Sequence, residues 1–156
     1  MNNKFIKFSM LSALCLFSIS SQAGTVSSNL SIVNTSSYQL NRVNQYSNYM
    51  KTWNFPFSIN PNSVSTYPIE VIISLSGGFK EVSGIVDYQI TCPNNQIETI
   101  TINAKNDTTS FWKWKHPDLH ATQSGAECVK IMNDSSSNNI GWINNGTVKL
   151  ILANNI

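Results

Sequence analysis

Apolar and polar residues alternate with period two along most of this chain, and the alternation breaks about every ten residues at clusters of Asn, Pro, Ser or Gly. Short strands joined by turns are the expected result. Leu30-Ser31-Ile32-Val33 opens the series, and Tyr38-Gln39-Leu40-Asn41-Arg42-Val43 continues it after an Asn34-Thr35-Ser36-Ser37 turn. Pro56, Pro61 and Pro68 predict a middle region that is irregular or lies at a sheet edge, because proline donates nothing to a ladder. Ile69 to Leu75 reads as a strand ending at a Gly77-Gly78 turn. In the segment from Gly84 to Cys92, the side chains of Val86, Tyr88, Ile90 and Cys92 fall on one face and those of Asp87, Gln89 and Thr91 on the other. Pro93-Asn94-Asn95 then turns the chain, and the run from Ile97 to Ile102 returns with Ile100 and Ile102 facing one way, which predicts a hairpin. A second hairpin is expected about Asn145-Gly146, between Gly141-Trp142-Ile143-Asn144 and a strand from Thr147 to Leu152 that buries Val148, Leu150 and Leu152. Beyond the first two dozen residues no helical periodicity of useful length occurs. The expected fold is therefore all-β: an antiparallel two-sheet β-sandwich forming a single domain over residues 24–156.

The first residues follow a different pattern. Lys4 and Lys7 precede a short apolar run from Phe8 to Ile19, and Ser21 and Ala23 supply the small residues that a signal peptidase needs. The run is too short to span a bilayer, which takes roughly 20 apolar residues. Residues 1–23 therefore read as a cleaved signal peptide, with the cut before Gly24. Cys15 follows Leu14 rather than a small residue, so it does not read as a lipid-attachment site and leaves with the leader. Secretion or periplasmic residence is the expectation, and the leader together with the Asn, Ile and Lys bias points to a bacterial source.

Removing the leader changes the charge. The whole chain has ten basic and eight acidic residues, and loss of Lys4 and Lys7 leaves the mature domain near neutrality. A nucleic-acid partner, which requires a basic stripe to displace counterions, is not expected. Two cysteines remain. Cys92 and Cys128 lack metal-site spacing, and in an oxidising compartment they are expected to form one disulfide.

The chemistry of the rest is sparse. His116 and His120 are spaced as two metal ligands on one helix face would be, but Pro117 turns the segment and no third ligand follows, so no metal site is assigned. Serines are plentiful, yet there is no Gly-x-Ser-x-Gly elbow, no phosphate-cradling glycine loop and no pair of carboxylates. No catalytic residue and no cofactor are assigned, and the protein is not expected to be an enzyme.

Two aromatic segments stand out. Phe111-Trp112-Lys113-Trp114-Lys115-His116 interleaves rings with potential cations. As a strand it would bury Trp112 and Trp114 under a solvated edge of Lys113 and Lys115. At a loop or rim the same indoles would suit a lipid headgroup zone or a sugar face, and Trp112, Lys113, Trp114 and Lys115 are the ligand-binding candidates on that reading. Tyr46, Tyr49, Trp53, Phe55 and Phe57 crowd the region around Pro56, and burial of all five is not expected; filling one end of the sandwich is the usual fate of such rings, and a recognition surface lined by some of them is the other reading.

The layout of Ile32-Val33-Asn34-Thr35-Ser36-Ser37-Tyr38-Gln39-Leu40, Trp53, Ile59-Asn60-Pro61-Asn62-Ser63, Ser83-Gly84-Ile85-Val86-Asp87-Tyr88 and the closing Asn145-Gly146-Thr147-Val148 resembles that of the aegerolysin-like proteins. The resemblance implies a small β-sandwich and, as for several members of that family, binding to membrane lipids such as sphingolipids, in some cases alongside a separate pore-forming partner. The expectation is a non-enzymatic binding protein with a membrane lipid surface as first candidate ligand. A carbohydrate-binding module is a second reading, and a periplasmic inhibitor or immunity factor acting on a protein partner is a third.

Overall fold

The computed structural model describes residues 24–73, 82–106, 117–132 and 139–155. The strands are β1 (Gly24–Asn34), β2 (Leu40–Asn48), β3 (Met50–Trp53), β4 (Ser58–Ile59), β5 (Ser63–Ile73), β6 (Ser83–Thr91), β7 (Ile97–Lys105), β8 (Asp118–Gly125), β9 (Val129–Ile131), β10 (Asn139–Trp142) and β11 (Thr147–Asn154). They form two sheets: five strands in the order β3-β5-β1-β11-β9, and six in the order β10-β8-β7-β6-β2-β4. The six-stranded sheet curls into a half-barrel. Among the described residues there is no helix long and apolar enough to cross a membrane.

The alternation explains the best-formed part. In β6 the burial pattern switches with every residue, and Val86, Tyr88, Ile90 and Cys92 are all buried as expected. A 3-10 turn at Pro93–Asn95 leads into β7, which pairs with β6 in unbroken register from Ser83↔Lys105 to Thr91↔Ile97. Ile100 and Ile102 face inward beside them. The buried apolar side chains form one cluster that draws on both sheets, including Leu30, Ile32, Val148, Leu150 and Leu152 from the five-stranded sheet.

The turn after β1 is fastened by a fully buried amide. Asn34 Nδ2 donates to the carbonyls of Tyr38 (2.8 Å) and Asn60 (3.0 Å), while its Oδ1 accepts from Ser36 N (3.2 Å) and Ser36 Oγ (2.6 Å). One side chain thus ties the β1–β2 corner to the turn before β5. A buried amide with every bond made is stabilising, and a truncated one would strand several backbone groups.

Three expectations are corrected. The predicted hairpin at Asn145-Gly146 does not form, because its two arms enter different sheets: β10 pairs with β8, and β11 runs parallel to β1. The sheets are therefore not purely antiparallel. The connecting residues bond to β1 instead of to each other, with Asn145 N donating to the Ser27 carbonyl (2.7 Å) and Asn29 N to the Gly146 carbonyl (2.9 Å). The strand expected from Ile69 begins at Ser63 and takes in Pro68, which lies at a locally open edge as expected because β3 covers β5 only from Ile69 to Val71. Finally, Asp118, Leu119 and His120 open β8 where a turn was expected.

Cys92 and Cys128 are disulfide-bonded, with Cα atoms 5.9 Å apart. The bond joins the end of β6 to the residue before β9, and so links the two sheets. In the chain-entropy view, closing a loop of this length contributes about 3–4 kcal/mol.

Candidate functional site

Cross-strand partners point to the same side of a sheet, so the register of the six-stranded sheet lists what its outer face presents. One row reads Asn41, Gln89, Thr99, Ser124, and the next Asn44, Asp87, Thr101, Thr122. A third reads Tyr46, Ile85, Asn103, His120, Asn139. Amides and hydroxyls dominate, all exposed or half-buried. At the centre Asp87 accepts from Asn44 Nδ2 (2.9 Å) and Thr101 Oγ1 (2.7 Å), which fixes those side chains across three strands. His120 Nε2 lies 4.0 Å from Asp118 Oδ2.

The aromatic character of this sheet is concentrated along β2 and the segment that follows β3. Trp53 and Phe55 turn inward, with ring centroids 4.9 Å apart in an edge-to-face arrangement, and Phe55 also leans on Tyr67 at 5.4 Å. Trp53 lies flat on β6 where Gly84 leaves room: a Cβ there would come within 2.8 Å of the indole. Its Nε1 donates to the Ile85 carbonyl (3.2 Å). Had the chain stayed extended, Phe57 would share the face of Phe55. It bends at Phe57 instead, and the ring is 79% exposed.

Arg42 is the hinge of this arrangement. Its guanidinium sits 4.2 Å from the centroid of Phe57, bonds Gln45 Oε1 (2.6 Å) and donates to the Phe55 carbonyl. Gln45 Oε1 in turn accepts from Phe55 N (3.0 Å). The same backbone segment that buries Phe55 therefore presents Phe57 with a cation on its face. Tyr46 (56% exposed) and Val43 are exposed on β2, Ile85 stands opposite Tyr46 on β6, and Tyr49 is exposed between β2 and β3.

Trp112, Lys113, Trp114 and Lys115 lie outside the described residues, as does His116. The chain that carries them joins Lys105, the last residue of β7, to Asp118, the first of β8. Those two residues are direct partners, in the row of the sheet that also holds Ser83 and Asn48.

No protein-family model and no curated protein matches the chain.

Two further features were not foreseen. A cleft of about 600 Å³ opens between β10 and β11, lined by Ile140, Trp142, Val148, Lys149 and Ile151 among others. It exists because those strands part into different sheets. The second is Glu98, fully buried on the inner face of β7. Its Oε2 accepts from Val129 N of β9 (2.9 Å) and lies 3.8 Å from Cys92 Sγ. Glu98, Cys92 and Cys128 place their ligand-type atoms within 4.8 Å of one another, with the two sulfurs bonded together. The signal for Glu98 was present in the sequence, since it falls in phase with Ile100 and Ile102 on the inward face.

Proposed function

We propose that this chain is an exported β-sandwich protein that acts by binding rather than by catalysis, with a membrane lipid surface as its ligand and the aromatic margin of β2 as its contact. On this reading residues 1–23 are a cleaved signal peptide, the product is secreted or periplasmic, and the two sheets pack face to face in an aegerolysin-like sandwich. The exposed Phe57 ring with the Arg42 guanidinium over it carries the proposal. An exposed ring with a cation alongside suits the boundary between headgroups and acyl chains, and Tyr46 and Tyr49 are exposed as well. The Cys92–Cys128 disulfide is compatible with an exported, oxidising setting. Trp112, Lys113, Trp114 and Lys115 are a second proposed contact.

A glycan is the second reading, supported by the rows of amides and hydroxyls across the outer face of the six-stranded sheet. The Asn44 amide and Thr101 hydroxyl held in place by Asp87 suit sugar hydroxyls, and Tyr46 supplies an exposed ring on the same face. Co-sedimentation with sphingolipid, phosphatidylethanolamine and anionic vesicles, run beside an oligosaccharide array, separates the two. Vesicle binding with a blank array is the expected result; the reverse would move the proposal to glycans, and blanks in both would leave a protein partner as the ligand.

A further inference from the structure

Glu98 raises a question that the binding reading does not answer. It is 0% exposed, and its Oε1 has no hydrogen-bond partner while Oε2 is held by Val129 N. Buried polar atoms are nearly always paired, and a carboxyl oxygen left without a donor is costly. What surrounds the carboxyl is the disulfide: Cys92 Sγ is 3.8 Å from Oε2, and both sulfurs lie within 4.8 Å of a carboxyl oxygen. In the disulfide neither sulfur carries a proton. Reduced to thiols, both become potential donors beside a buried carboxyl that holds a single hydrogen bond.

We infer that Cys92–Cys128 is a reversible redox site, reduced by an exported dithiol reductant, with Glu98 positioned to receive the hydrogen bond of the Cys92 thiol. The half-buried Cys128 is the more accessible sulfur, and Cys92 is buried. A thiolate of the reductant attacks Cys128 Sγ; the new bond forms there, the Cys92–Cys128 bond breaks, and its electron pair leaves on Cys92 Sγ. That sulfur takes up a proton and donates it in a hydrogen bond to Glu98. The second thiolate of the reductant then attacks its own sulfur in the mixed disulfide, closing the reductant's disulfide and releasing Cys128 Sγ, which is protonated in turn. Two electrons pass to the protein, and the two protons released by the reductant's thiols are balanced by the two taken up by the cysteines. Because the reduced form adds a thiol donor to a buried carboxyl that otherwise has only the Val129 bond, Glu98 makes this disulfide easier to reduce.

The test equilibrates the purified protein with graded ratios of reduced to oxidised dithiothreitol, counts thiols by alkylation and mass, and follows the sheets by circular dichroism. Both thiols are expected to appear while the sheets persist, and Glu98→Gln is expected to require a ratio about tenfold higher for half-reduction. Reduction only upon unfolding, or a midpoint within about twofold in the variant, would overturn the inference. If Glu98→Gln does not fold, the infrared difference spectrum of the wild type decides. A carboxyl stretching band displaced on reduction is expected, and an unperturbed carboxyl region would overturn the role of Glu98.

Discussion

Phe55 and Phe57 stand two residues apart and have opposite fates. Phe55 is wedged between Trp53 and Tyr67 in the core, while Phe57 lies on the surface under the Arg42 guanidinium. Residue type does not separate them, and neither does strand periodicity, which would place both on one side. The bend at Phe57 does, and it is held from both directions: Arg42 and Gln45 bond the Phe55 backbone, and Tyr88 Oη donates to the Pro56 carbonyl (3.1 Å). These part-buried bonds hold the bend that leaves the Phe57 ring at the surface.

The comparison can be broken by substitution. The largest effect is expected at the buried ring: Phe55→Ala should cost about 3–5 kcal/mol in chemical denaturation, by lost burial and the cavity left against Trp53 and Tyr67. Gly84→Ala should follow at about 1–3 kcal/mol, because the new methyl meets the Trp53 indole and the Met50 thioether and forces both to shift. Tyr88→Phe removes the bond to Pro56 and should cost about 1 kcal/mol. It also carries a pH signature. Burial raises the Tyr88 phenol well above its ordinary value of 10.0, with the nearby Tyr67 adding to the effect and Arg42 opposing it. A raised folded value means that the contribution to stability is full below the unfolded phenol's range and is lost as pH climbs above it. Wild-type melting temperature should therefore fall above about pH 10, and the part of that fall due to Tyr88 should be absent from Tyr88→Phe. The smallest effect on stability belongs to Phe57→Ala, expected within about 0.5 kcal/mol of wild type in the same titration.

The strands that were plain in the sequence are those with one apolar and one polar face. The β6–β7 pair could be read from Val86, Tyr88, Ile90, Ile100 and Ile102, and the disulfide from the count of cysteines in a chain expected to be exported. Others carried too little contrast. In β8 only Leu119 and Ala121 mark the inward face, and β9 has three residues. The assignment of β10 and β11 to separate sheets was hidden because it depends on bonds from Asn145 and Gly146 to β1, more than a hundred residues away in the chain. At the candidate surface, the sequence marked a region where burial of all five rings was not expected. It did not say which rings would be left out, since that follows from a bend fixed by Arg42, Gln45 and Tyr88. Glu98 was concealed differently, by the habit of reading an acidic residue as solvent-facing even where the phase of the strand turns it inward.

Vesicle partitioning of a Tyr46→Ala/Phe57→Ala double variant tests the central claim most directly. Each removed ring forfeits burial in the headgroup boundary worth about 1.5–3 kcal/mol when complete. The expected result is a partition coefficient at least about tenfold below wild type, with the melting temperature unchanged. Partitioning equal to wild type in a folded double variant would contradict the assignment of the β2 margin as the membrane contact.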